Sequence, residues 1–166
     1  DKTNSNLIGF FHQNIFNFIG DEWEVPTSGY DIKSPLHNIY VEMKNKHNTM
    51  NSSSAIRTYM RFQNTIIQNP VSKCFLVEVI AKRSQNIPWI VSIDGIRQPV
   101  NERIRRLSID KFYELVTNDR NAFKKLCDVI PIVIKDTIKS IEVRTRNNSV
   151  LKELSMLSKD NLESLY

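Results

Sequence analysis

The sequence is poor in the residues that would make it fibrous, membrane-bound or disulfide-built. Four Gly and six Pro in 166 residues exclude collagen-like and linker-like material. The longest apolar runs are short, as in Pro131-Ile132-Val133-Ile134, whereas a membrane-spanning helix needs about 20 apolar residues. No transmembrane helix is therefore expected, and no signal peptide is visible. The two cysteines, Cys74 and Cys127, match no metal or redox spacing, and buried free thiols in a reducing cytosol are expected. Asp1 rather than Met stands first, so an upstream part is expected. Acidic side chains are absent from the whole interval between Glu42 and Glu78, which carries Lys44, Lys46, His47, Arg57, Arg61 and Lys73.

What is present is ordinary in bulk: 40% hydrophobic and 25% charged residues suit a single compact domain over 1–166. The formal charge of +5 says little as a total. Its concentration in that acid-free interval favours a polyanion such as a nucleic-acid backbone.

Hydrophobic periodicity predicts an α/β order. Residues 5–19 read as a helix with Leu7, Ile8, Phe11, Ile15, Phe18 and Ile19 on its apolar stripe. Tyr30-Asp31-Ile32 is extended. Ile39 to Lys44 is a strand with Ile39, Val41 and Met43 on one face and Tyr40, Glu42 and Lys44 on the other. A second helix runs from the end of the polar stretch 45–54 to about Gln68, before Pro70. Cys74 to Ile80 is nearly all apolar, as in a strand covered on both sides. Trp89 to Ile93 is read as another strand leading into an Asp94-Gly95 hairpin turn. Ser108 is read as the cap of a helix containing Phe112, Leu115 and Val116. A last helix over 121–139 is expected to kink or break at Pro131.

One constellation carries chemistry. If the segment around Tyr30-Asp31-Ile32 pairs antiparallel with the strand from Ile39, Asp31 lies beside Glu42, and the period of two puts Lys44 on Glu42's face. Two adjacent carboxylates repel unless a cation neutralises them, and hard oxygen ligands with open water positions suit Mg²⁺. Lys44 beside such a cation could orient a hydroxide towards a phosphate. An acidic residue two before a Lys also occurs by chance, as in Asp31-Ile32-Lys33. Context favours Glu42-Met43-Lys44: an alternating strand, an Asp upstream, and a basic stretch and helix downstream. Glu24 reads as a surface acid and Gln63 as a polar residue at the edge of a packed face, in preference to further site members.

Asp31, Glu42 and Lys44 in this order resemble the signature of the PD-(D/E)XK nuclease superfamily, with Tyr30 where a Pro often precedes the Asp. Gly29-Tyr30-Asp31, the block Val41 to Ser53 and the segment Ser108 to Thr117 resemble, more specifically, type II restriction endonucleases that cut GG-N-CC or GG-(A/T)-CC sites. The resemblance implies a mixed central β-sheet flanked by helices. It implies that Asp31, Glu42 and the Met43 carbonyl bind Mg²⁺, that Lys44 positions the attacking water, and that cleavage of double-stranded DNA leaves 5′-phosphates. It further implies a homodimer in a prokaryotic cytoplasm, with no small-molecule cofactor beyond the metal.

Lys46, His47, Asn48, Asn51, Ser52 and Ser53 form a donor-rich block expected against DNA, with Arg57 and Arg61 on phosphates. Arg97, Arg103, Arg105 and Arg106 are candidates for guanine contacts, or a basic loop serving solubility. The alternatives are a structure-specific nuclease of the same superfamily and a non-catalytic DNA-binding domain.

Overall fold

The computed structural model describes residues 11–47 and 49–144. The chain divides after Arg120 into two compact units.

The first unit is built on a five-stranded mixed sheet, completed by three helical segments. Residues 11–15 are helical. They are followed by β1 (Ile32–Ser34), β2 (Ile39–Lys46), helix α1 (Ser52–Gln68), β3 (Lys73–Ile80), β4 (Asn86–Pro88), β5 (Ser92–Ile93), β6 (Ile96–Arg97), β7 (Ile104–Ser108) and helix α2 (Ile109–Thr117). Strand order is β1-β2-β3-β7-β4, and β5-β6 form a separate hairpin. β2, β3 and β7 run parallel, whereas β1 and β4 are antiparallel edges.

β3 is central and buried over Cys74–Val79, which explains its nearly unbroken apolar sequence. On one face Cys74, Leu76 and Ile104 pack with Tyr59 and Phe62 of α1 and with Trp89. By the strand period, Val41, Phe75, Val77 and Leu107, all buried, belong to the opposite face. A second aromatic group joins Phe16, Trp23 and Phe112, with Phe16 and Phe112 stacked at 5.1 Å.

α1 starts where Asn51 Oδ1 accepts from the Ser54 N–H at 2.9 Å, a side-chain N-cap. It ends at Asn69, whose side-chain amide donates to Asn38 Oδ1 at 2.7 Å. Asn38 has φ of 54° in the β1–β2 turn, and its carbonyl accepts from the Lys73 N–H at 2.8 Å. One residue thus ties the hairpin, the helix end and the start of β3 together.

Several sequence-based expectations need correction. Of the predicted 5–19 helix, residues 5–10 lie outside the described residues. In the remainder, His12 and Phe16 face inward while Phe11 and Phe18 are exposed. The aromatic cluster around Phe112 and Tyr113 selects that face over the Phe11-Ile15-Phe18 stripe. Trp89 to Ile93 is not one strand: β4 ends at Pro88 and β5 begins at Ser92. The hairpin turn at Asp94-Gly95 does form, with φ of 51° and 79°, the left-handed pair of a tight primed turn. Ser108 occupies the N-cap position of α2 but makes no cap hydrogen bond. Its hydroxyl accepts from the Gln85 N–H at 2.9 Å and so serves β4 instead. Cys74 is buried and Cys127 only half-buried, both as free thiols. Burial pushes the Cys74 thiol up to about 12.

In the second unit, helix α3 (Ala122–Arg144) runs through Pro131 without interruption. The ring removes one N–H from the ladder, and the remaining turns carry the helix past it. Among the described residues, no helix is long and apolar enough to cross a membrane.

Candidate active site

The site is assembled at the end of β1 and the middle of β2. Gly29, at φ of 90°, makes a turn that a side chain would strain, and it delivers Tyr30 and Asp31 to the edge of β2. β1 pairs with β2 through Ile32 opposite Val41, and the Asp31 N–H extends the ladder to the Val41 carbonyl at 3.0 Å. One step further the backbone pairing is replaced by a side chain: Asp31 Oδ2 accepts from the Met43 N–H at 2.7 Å. A strand residue's N–H and C=O face the same neighbour, so the Met43 carbonyl points to Asp31's side, just past the end of β1.

Glu42 and Lys44 share the other face of β2, as the alternation predicts, with Lys44 Nζ 2.7 Å from Glu42 Oε1. The second carboxylate oxygen of Glu42 accepts from Arg61 Nη2 of α1. Arg61 also donates through Nη1 to the Gly29 carbonyl at 2.5 Å and lies 4.7 Å above the Tyr30 ring. Tyr30 is held in turn by Thr65, at 2.6 Å between hydroxyls, and by stacking on Phe62. Helix α1 therefore reaches into the site through one arginine and braces the turn that presents Asp31.

Burial raises the Asp31 carboxyl above the usual range, with the Glu42 charge adding to it. The Met43 N–H, Lys44 and Arg61 act in the opposite direction. By formal charge, Asp31 and Glu42 are balanced by Lys44 and Arg61, but both cations pair with Glu42, and among the described residues the half-buried Asp31 has no positive charge in direct contact. A divalent cation would supply it, and two carboxylates with one carbonyl are the hard donors such a cation takes. Among the described residues no group of three or more His, Cys, Asp or Glu side chains forms a ready cation cage. Two carboxylates leave coordination positions for water and a phosphate, the arrangement common for Mg²⁺.

The other sequence-derived candidates are more dispersed. Asn51 spends its side-chain oxygen on the α1 cap. Lys46, Ser52, Ser53 and Arg57 are exposed, with Arg57 3.4 Å from the Ser54 hydroxyl. Asn48 lies outside the described residues. His47 turns inward to Glu78, with 3.0 Å between Nδ1 and Oε2. Gln63 is half-buried on α1, and Glu24 pairs with Lys33 at the surface. Arg105 is engaged by Asn86 and Glu102, and Arg106 Nε lies 3.5 Å from Glu78. Arg97 and Arg103 are exposed. Sequence reasoning missed Glu78, which its place in an apolar strand hides, and it missed that Arg61 belongs to Glu42.

Comparison with known proteins gives three findings. A profile of the family described as Eco47II restriction endonuclease matches residues 1–139. The type II restriction enzyme Sau96I of Staphylococcus aureus is 28% identical over 174 aligned positions, covering 99% of this chain and 67% of that protein. The type II restriction enzyme Eco47II of Escherichia coli is 27% identical over 145, covering 81% of this chain and 60% of that protein. The chain thus spans some three fifths to two thirds of the length of these relatives. No solved structure matches it.

Proposed function

Because the chain belongs to the Eco47II restriction endonuclease family, we propose that it is a Mg²⁺-dependent endonuclease cutting double-stranded DNA at a specific sequence, with Asp31, Glu42 and Lys44 as the catalytic set. The observation that carries this reading is the meeting of Asp31, Met43, Glu42 and Lys44 at the point where β1 leaves β2.

Asp31, Glu42 and the Met43 carbonyl would hold the ion. When bound, it supplies charge stabilisation for the pentacovalent phosphate and the departing oxygen. Lys44, fixed by Glu42, orients the attacking water and favours its deprotonated form through its charge. Water oxygen bonds to phosphorus in line with the P–O3′ bond, that bond breaks, and the products are a 5′-phosphate and a 3′-hydroxyl. Lys46, Ser52, Ser53 and Arg57, exposed at the end of β2 and the start of α1, provide donors to the DNA backbone, together with Asn48. A two-fold symmetric site is read most economically by a homodimer, each subunit cutting one strand. The likeness to enzymes that cut GG-N-CC and GG-(A/T)-CC makes these the first sites to test, in the setting of a prokaryotic cytoplasm.

The test is digestion of unmethylated plasmid DNA with and without Mg²⁺, followed by sequencing of the fragment ends. Discrete Mg²⁺-dependent fragments bearing 5′-phosphates support the reading. Smearing or structure-dependent nicking would move it to a structure-specific nuclease, and intact DNA across several metals would contradict it.

A further inference from the structure

Glu78 is a carboxylate for which the cleavage chemistry has no use, and it is only 2% exposed. In register it stands between Lys44 of β2 and Ser108 of β7. Cα partners on adjacent strands project to the same face, so Glu78 continues the face of Glu42 and Lys44 across the sheet. Burying a carboxylate is costly unless it is paired and hydrogen-bonded. An apolar residue would pack here as Leu76 does two positions earlier, without that cost. What the carboxylate holds is specific. Oε2 lies 3.0 Å from His47 Nδ1 and accepts from Gln85 Nε2 at 3.5 Å, while Oε1 lies 3.5 Å from Arg106 Nε.

His47 is therefore fixed twice, both times by β3: its ring by Glu78 and its backbone N–H by the Ile80 carbonyl at 3.1 Å. With Nδ1 committed to Glu78, the ring's other nitrogen, Nε2, lies on the edge turned away from the carboxylate. The side chain keeps 19% exposure, and the residue directly follows β2, three positions beyond Lys44. It lies in sequence between Lys46 and the group Ser52, Ser53 and Arg57, the exposed donors proposed above to meet the DNA backbone.

Resting on the endonuclease reading above, we infer that Glu78 is a positioning residue: its carboxylate accepts from His47 Nδ1–H, and the ring, protonated on both nitrogens between two anions, donates Nε2–H to a DNA phosphate flanking the cleaved bond. Glu78 does not touch the DNA, and its effect passes through the imidazole. A hydrogen bond to an ionised group of this kind is worth about tenfold in affinity.

The experiment measures affinity for the duplex carrying the cleaved site by fluorescence anisotropy, with Ca²⁺ in place of Mg²⁺. His47→Ala and Glu78→Leu should each weaken binding about tenfold, and the double variant should be no weaker than either single one. Glu78→Gln should recover most of the loss, because its amide oxygen still accepts from Nδ1. Thermal melting checks that each variant is folded. Should Glu78→Leu not fold, ¹⁵N NMR of the histidine rings in the unaltered protein decides. A proton on His47 Nδ1, and a proton on Nε2 whose resonance shifts when the duplex binds, support the inference. Additive losses, unchanged affinity in a folded Glu78→Leu, or an Nε2 resonance indifferent to DNA would overturn it. A protein that cuts at a defined site while showing any of these refutes the positioning role alone, whereas a protein that neither cuts nor binds DNA refutes the endonuclease reading itself.

Discussion

Lys44 and Arg61 both bond to Glu42, but they have different consequences. Lys44 comes from the same strand face two residues on, and its place follows from the pleat alone. Replacing it with Ala should lower the cleavage rate about 10³-fold, within the range for a group that assists proton transfer, while leaving DNA affinity in Ca²⁺ nearly unchanged. Rates with saturating enzyme and a gel-shift titration separate the two effects. Arg61 comes from α1 and occupies a carboxylate oxygen that a divalent cation would also use. In Arg61→Met that competing charge is gone, so the DNA-free protein should bind Mn²⁺ about tenfold more tightly by calorimetry, a modest part of the Coulomb interaction at such a distance. Equal or weaker binding would show that Arg61 does not compete. The pairing at Lys44 was legible because strand period and sequence distance are one number. The pairing at Arg61 was not, since helical spacing put it beside Arg57 and no local rule says which arginine turns towards a strand.

At the level of elements, the site depends on a side chain continuing a ladder that the backbone abandons. β1 is three residues long, and Asp31 takes over from it by bonding the Met43 N–H. β2, β3 and α1 were readable from alternation, an apolar run and a proline stop, which are local signals. β7 was not, because Ile104-Arg105-Arg106-Leu107 mixes buried and half-buried positions and is defined by pairing with β3 and β4, far away in sequence. The two central arginines looked like a basic loop; one is held by β4 and the other by Glu78 of β3. The polar block after β2 likewise conceals a structural device. Asn51 reads as a DNA contact in sequence but caps α1 in the fold. Asn51→Ala should therefore cost about 1 kcal/mol of stability in chemical denaturation, and Asn51→Asp should restore it. A stability unchanged in Asn51→Ala, with DNA affinity lost, would return Asn51 to the interface.

For the molecule as a whole, the aromatic packing away from the site sets a pH limit. His12 is buried, its Nδ1 3.1 Å from the Tyr113 hydroxyl, and burial lowers its pKa from 6.5 to about 4. The unfolded chain binds this proton more readily than the folded one, so stability is full above pH 6.5 and declines as pH falls towards 4. The loss attributable to His12 is about 3 kcal/mol over that interval. His12→Phe should flatten the dependence of unfolding free energy on pH by about that amount; a parallel curve would contradict it. Over larger distances, the acid-free interval pointed correctly to a family that acts on DNA, because charge distribution survives folding. It did not reveal that one of those cations would be spent inside the site.

The central claim is that Asp31, Glu42 and Lys44 form one metal-dependent cleavage centre. It is tested most directly by digesting plasmid DNA with the native protein and with Lys44→Ala, each with and without Mg²⁺, and sequencing the ends. The account predicts discrete fragments with 5′-phosphates from the native protein in Mg²⁺ alone, and intact DNA from a folded Lys44→Ala that still binds the same duplex. Equal cutting by the two proteins would contradict it.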